Sequence, residues 1–189
     1  MTNKNLSILF IGNSHTYYND MPARVMQRAV DHGFDCRIAM LAHPGWYLDR
    51  HAGDPEAGFN IFYGSYDYVV LQEHAHPFDR LDKYHEAAEK LCGMCSEAGS
   101  VPVIFGTWSR ESEPDKQKYM DSVHRIVAEE NGALLAPVGE NWWTYIHSWP
   151  DIDMYDEDGE HASAAGSDFA AKMIWETILT DIHRKETGK

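Results

Sequence analysis

Cysteine is scarce: the 189 residues hold three, Cys36, Cys92 and Cys95. An odd set does not suggest the disulfide framework of a small extracellular domain. Basic residues are also few, 16 Lys and Arg against 30 Asp and Glu, for a formal net charge of −14. So negative a surface repels phosphate backbones and anionic headgroups, which argues against nucleic acid or a membrane surface as principal partner and leaves neutral or cationic ligands open. No run approaches the roughly 20 consecutive apolar residues of a membrane span. The first seven residues are polar, without the basic start and apolar stretch of a secretion signal, so a cytoplasmic address is expected.

What the chain does have is 43% hydrophobic residues, arranged in short runs. A chain of this length buries roughly 70% of the surface its unfolded form exposes, enough to fold without a disulfide or metal. Residues 6–12 (LSILFIG) form an apolar run closed by Gly, the pattern of a strand buried on both faces. Similar runs occupy residues 36–41, 66–71 (YDYVVL), 101–107 (VPVIFGT) and 133–138. Helical periodicity covers residues 21–32, 81–98, 114–131 and 163–185, with apolar positions three and four apart, as in Ala87, Leu91, Met94, Cys95 and Ala98. Asn19-Asp20 precedes Met21-Pro22 as a helix start, and Asn131-Gly132 closes the third helix.

Strands alternating with helices imply a parallel sheet covered on both faces by right-handed crossovers. The expected fold is a three-layer α/β domain, flavodoxin-like, with about five parallel strands in the order 2-1-3-4-5. Neither repeat nor linker divides the chain, so residues 1–189 are expected to form one domain. Residues 43–65 read as a long loop without a convincing helix, and residues 184–189 as a fraying tail. The Cys92-Gly-Met-Cys95 pair falls inside a helical pattern with no second pair to complete a zinc site, and reads as helix packing.

In such a sheet, ligands bind beyond the carboxyl ends of the strands, where strand order reverses. The residues following the five strands are Gly12-Asn-Ser-His-Thr16, His43-Pro-Gly-Trp46, Gln72-Glu-His74, Thr107-Trp-Ser109 and the segment leading to Asp158-Gly-Glu-His161. A nucleophilic Ser14 needs a base, an acid to orient that base, and donors for the oxyanion; His161, Asp158 and the groups at Ser14, Gly45 and Gln72 supply these types. On residue chemistry alone this is one constellation among several. Ser14 equally suits a turn cap, Asp158 lies in an acidic run with Asp156 as the competing partner, and Gly45 suits a plain turn.

The segment Ile8-Leu-Phe-Ile-Gly-Asn-Ser-His-Thr16 resembles the first block of the SGNH (GDSL-like) hydrolases. Asp158-Gly-Glu-His161 is similar to their last block, Asp-x-x-His, and Ala164-Ala-Gly166 to the small residues opening their final helix. The resemblance implies Ser14 as nucleophile, His161 as general base and Asp158 as its orienter, with the Ser14 and Gly45 amides in the oxyanion hole. Most members carry Gly-x-Asn-Asp in the third block, where this chain has Val70-Leu-Gln-Glu73. The form resembles a less characterised branch in which Gln72 takes the place of the oxyanion-hole Asn. The activity implied is hydrolysis of a small acyl ester, acetyl above all, on a carbohydrate or similar alcohol. An acyltransferase with the same triad and a non-catalytic carbohydrate-binding module of this fold are the alternatives.

Trp46 and Trp108 are the expected pocket walls, while Asn13 is expected to fix the turn before Ser14. His15, His74 and His76 lack a third carboxylate partner at ligand spacing, and His85-Glu-Ala-Ala-Glu89 fails the HExxH spacing, so neither metal nor other cofactor is expected. The acidic rim disfavours an anionic substrate and suits a neutral ester.

Overall fold

The structure, a computed structural model, describes residues 4–188. Five parallel strands, β1 (Lys4–Gly12), β2 (Phe34–Ala42), β3 (Tyr68–Leu71), β4 (Val101–Phe105) and β5 (Leu134–Ala136), form one sheet in the order β2-β1-β3-β4-β5. Both the fold class and the strand order match expectation. Among the described residues, eight α-helices connect and flank them: α1 (Ser14–Tyr17), α2 (Met21–Asp31), α3 (Leu48–Gly53), α4 (Pro55–Tyr63), α5 (Leu81–Ala98), α6 (Gln117–Glu130), α7 (Val138–Ser148) and α8 (Ala164–Glu186).

Strand periodicity of two divides the apolar runs between two cores. Ile8, Phe10, Val70, Val103 and Phe105 face one way and pack with Val25 of α2, Trp142 of α7 and Ile174 of α8. Leu9, Ile11, Val69, Leu71 and Ile104 face the other way, against Leu48 of α3, Ile61 of α4, Leu91 of α5 and Val127 of α6. Ile8 through Ile11 are all wholly buried, as a strand central to a covered sheet requires. Cys92 and Cys95 lie in this second core, where burial pushes both thiols up to about 12, so they pack as small apolar groups.

Register decides where the site falls. Gly12 pairs with Ala42, Ile11 with Leu71, Leu71 with Ile104 and Phe105 with Ala136, so the five strands end along one edge.

Three expectations need correction. Residues 43–65 are not a bare loop: they hold α3 and α4, short helices whose apolar residues are interrupted by Gly53 and Pro55. The start of α4 is locally coded, with Pro55 at its first turn and the Asp54 carboxylate accepting from the Glu56 amide at 2.9 Å. The segment after β5 forms α7, held by wholly buried Val138 and Trp142, where no helix was expected. Helix α8 continues through Arg184 and Lys185, which pair with the buried Asp181 carboxylate rather than fraying; Lys189 lies outside the described residues. No helix among the described residues is long and apolar enough to cross a membrane.

Candidate active site

Strand β1 delivers the chain to the carboxyl edge at Gly12. A Cβ there would come within 2.4 Å of Thr16 Oγ1 and 2.5 Å of Gln72 Oε1, so only glycine allows the turn to close this tightly. Asn13 then caps α1: its Oδ1 accepts from the His15 amide at 3.1 Å, while its Nδ2 donates to the Trp46 carbonyl at 2.9 Å. One buried side chain thereby fixes the Ser14 turn, as the sequence suggested, and also ties it to the Gly45-Trp46 turn beyond β2. The His43 amide adds a bond to the Gly12 carbonyl at 3.1 Å.

Ser14 opens α1, where its amide has no intrahelical acceptor. Gly45 holds φ at +65°, a left-handed conformation that places its exposed backbone beside this turn.

The structure brings Ser14, His161 and Asp158 together across the fold. Ser14 Oγ lies 2.7 Å from His161 Nε2, and His161 Nδ1 lies 2.6 Å from Asp158 Oδ2. The second Asp158 oxygen accepts from the Glu160 and His161 amides, each at 2.9 Å, closing a tight turn that carries the imidazole. Burial would raise the Asp158 pKa, but hydrogen bonds from the His161 ring and the two amides outweigh it and hold the carboxyl at about 2. Asp158 is therefore ionised throughout the neutral range. Asp156, the competitor, instead accepts from the neighbouring Glu157 amide through its Oδ1 at 3.0 Å.

The imidazole is also clamped face to face. Tyr18 stacks on it with ring centroids 4.0 Å apart and planes 13° from parallel, while His15 packs nearby at 4.8 Å. The Tyr18 backbone is held in place by the next two residues, Asn19 and Asp20, both left-handed at φ of 52° and 54°, a conformation that Asn and Asp tolerate. Asn19 Nδ2 donates to the Ala162 carbonyl at 2.9 Å and to Ser167 Oγ at 3.0 Å, tying the Ser14 segment to the segment bearing His161. Residue chemistry did not single out Tyr18; its one sequence signal is its place four residues beyond Ser14, one helical turn away.

Two expected site residues lie elsewhere. The Gln72 amide is wholly buried beneath the turn: Oε1 accepts from the Asn13 amide and Thr16 Oγ1, both at 2.9 Å, and Nε2 donates to the Glu73 carbonyl. Its side-chain amide is fully engaged in these bonds, so Gln72 braces the turn. Trp108 is also wholly buried, stacked on Trp142 at 4.1 Å, with its indole nitrogen donating to the Glu160 carbonyl at 2.9 Å. It supports the His161 segment from below and is not a pocket wall. Trp46 remains half-buried at the rim, packed on His43 and under Arg50.

His15 and His76 face each other at 5.1 Å behind the triad. Burial, reinforced by neighbouring imidazoles, drives His15 well below the usual histidine range. Burial and the Arg110 guanidinium bring His76 down to about 4, so both rings are neutral. Among the described residues, no three His, Cys, Asp or Glu side chains are grouped to hold a metal ion.

A flavodoxin-like sheet with Ser14 at the end of its first strand and Asp158 and His161 returning just before its last helix has the architecture of a serine hydrolase. No protein-family model and no curated protein matches the chain. Solved structures do. A chain from Slackia heliotrinireducens assigned to the SGNH hydrolases shares 27% identity and superposes with a TM-score of 0.80 over 93% of this chain and 100% of its own. A lipase/acylhydrolase from Enterococcus faecalis gives a TM-score of 0.73 at 15% identity, over 92% and 95% of the two chains. A carbohydrate esterase family 3 protein from Talaromyces cellulolyticus gives 0.62 at 12% identity, over 94% and 98%. The chain is an SGNH-type serine hydrolase, a member of the SGNH (GDSL-like) superfamily.

Proposed function

We propose that the protein is a serine esterase that removes a small acyl group, acetyl above all, from a polar alcohol of the carbohydrate kind by a two-step acyl-enzyme route. The observation that carries this reading is the unbroken relay from Ser14 Oγ through His161 to Asp158, at 2.7 and 2.6 Å. In this reading the His161 Nδ1–H donates to Asp158, leaving Nε2 to accept the Ser14 proton as Oγ attacks the ester carbonyl. The oxyanion is met by the Ser14 and Gly45 amides, each good donor lowering the barrier by roughly 2.7–4 kcal/mol. The carbon–oxygen bond to the alcohol then breaks as His161 Nε2 returns the proton to the leaving oxygen. Water, deprotonated by the same imidazole, attacks the acyl-Ser14 ester and releases the carboxylic acid.

Asp158 stabilises the imidazolium in both steps, and its ionisation at about pH 2 keeps that charge present at every working pH. The names of the structural neighbours, an acylhydrolase and a carbohydrate esterase, support acyl-ester chemistry and an alcohol of the sugar type. The whole chain, taken as one domain, is the catalytic unit. The test is hydrolysis of a model acetyl ester by the wild type and by Ser14→Ala. Loss of activity by about 10³-fold or more is expected, with covalent labelling of Ser14 by a serine-directed phosphonate. Hydrolysis surviving the substitution would remove the mechanism.

A further inference from the structure

Next to the triad, the loops leaving β3 and β4 enclose a cavity of about 390 Å³, with His76, Phe78, Arg110, Tyr119 and Met120 among its walls. It adjoins His161 by two routes. His76 packs on His15, which packs on His161, and Arg110 Nε lies 2.7 Å from the carboxylate of Glu160, the residue preceding His161. The Gly45 turn follows β2, on the other side of β1 from this cavity. In the sheet order the Gly45 turn and the cavity thus flank Ser14 from opposite sides, so an ester with its carbonyl oxygen at Gly45 would carry its alcohol on the cavity's side.

Charge and ring chemistry then describe the alcohol. Both cations in the walls are already engaged: Arg110 with Glu160, and Lys116 with Glu113, Nζ to Oε1 at 2.5 Å. His76 is neutral. Asp79 and Asp115, both exposed and both lining the cavity, have no ion-pair partner among the described residues. Phe78 and Tyr119 meet edge to face at 6.4 Å, and Tyr119 is 51% exposed, so its ring is open to a ligand. Carboxylates beside aromatic rings suit an organic cation, which gains from both, and repel an anion.

We propose that this cavity is the alcohol subsite of the esterase and that it selects an alcohol carrying an ammonium group, as in an amino sugar or amino alcohol. The inference rests on the esterase reading above, and the probes are chosen to separate the two. Choline acetate, its neutral isostere 3,3-dimethylbutyl acetate and anionic 4-acetoxybutanoate differ chiefly in charge at the far end of the alcohol. In low salt the expected order of kcat/KM is choline acetate, then the isostere by about 3- to 10-fold, then the anion, as befits two solvent-exposed carboxylates. Most of the preference should vanish at about 0.5 M salt, where screening is nearly complete over a few ångströms.

The double variant Asp79→Asn, Asp115→Asn should lose the ammonium preference, its ratio of kcat/KM for choline acetate over the isostere falling toward one. A neutral ester preferred over choline acetate, or a preference unchanged in that variant, would overturn the assignment. Calorimetric binding of choline against 3,3-dimethylbutan-1-ol reads the cavity without turnover. Choline binding lost in the double variant, with no ester hydrolysed, would sink the esterase reading and leave the cation site standing. Equal binding of the two alcohols, with neutral ester hydrolysed, would sink only the cation site. Failure of both readouts would sink both.

Discussion

Replacing Asp158 by Asn isolates the carboxylate's charge from its role in the turn. Asn keeps an Oδ1 that can accept from the Glu160 and His161 amides, so the turn that holds the imidazole survives. What changes is the group facing His161 Nδ1. An amide Nδ2–H cannot accept from Nδ1–H, so the imidazole is driven to the tautomer whose Nε2 carries the proton and cannot take one from Ser14. The electrostatic loss is bounded by the site's exposure. Asp158 has 44% of its side chain exposed, so its attraction for the imidazolium falls between the roughly 1 kcal/mol of bulk water and the roughly 4 kcal/mol of a protein surface at about 4 Å. Asp158→Ala, losing that attraction, should lower kcat by about 10- to 10³-fold. Asp158→Asn should lose more, toward about 10⁴-fold, because the wrong tautomer adds to the lost charge. Asp156→Asn, whose carboxylate caps its own turn, should stay within about threefold of wild type. Steady-state hydrolysis of a model acetyl ester at pH 8 measures all three, with circular dichroism to check folding. An Asp158→Asn enzyme within threefold of wild type, or a larger loss at Asp156, would refute the assignment of the relay.

The clamp, the buried acid and the glycine turn each give a further expectation. Tyr18→Leu removes the ring stacked on His161 and should cut kcat by about 2- to 10-fold, the equivalent of 0.5–1.5 kcal/mol for an aromatic pair; Tyr18→Phe should restore it, and equal defects in the two would show that stacking is irrelevant. Burial raises Glu73 from 4.5 to about 7 even though the His74 and Leu48 amides donate to it. Between those pH values the folded chain keeps a proton that the unfolded chain releases, so stability falls as pH rises from about 4.5 to 7, by about 2–3 kcal/mol in all. Glu73→Gln should flatten that slope in urea unfolding followed from pH 4.5 to 8; an unchanged slope would place the proton elsewhere. Gly12→Ala should cost about 1–3 kcal/mol through its contacts with Thr16 Oγ1 and Gln72 Oε1 and lower activity by disturbing Ser14. A variant with wild-type melting temperature and rate would show that the turn yields freely.

The layers and the strand order were legible in the residue pattern, as were Ser14, Asp158 and His161 as candidates that the fold then brings within hydrogen-bond distance. Unbroken apolar runs such as Ile8–Ile11, closed by a Gly and alternating with helical patterns, suit strands covered on both faces, and right-handed crossovers leave few orders for five such strands. The three-residue step from Asp158 to His161 is local, so a turn alone brings that pair together. Helices α3 and α4 were harder to see because six and nine residues carry little periodicity of their own, and packing against Leu91 and its neighbours in α5 supplies what propensity does not. The direction in which side chains point emerged with the packed fold. Gln72 and Trp108 stand next to the rim in the chain, yet backbone register turns both inward, under Ser14 and behind His15. Tyr18 carries no motif and still covers the base, because the left-handed pair Asn19-Asp20 bends the chain back over His161. Spacing along a chain fixes which residues share an edge; which of them face solvent depends on packing from segments dozens to more than a hundred residues away, and that is written in no local pattern.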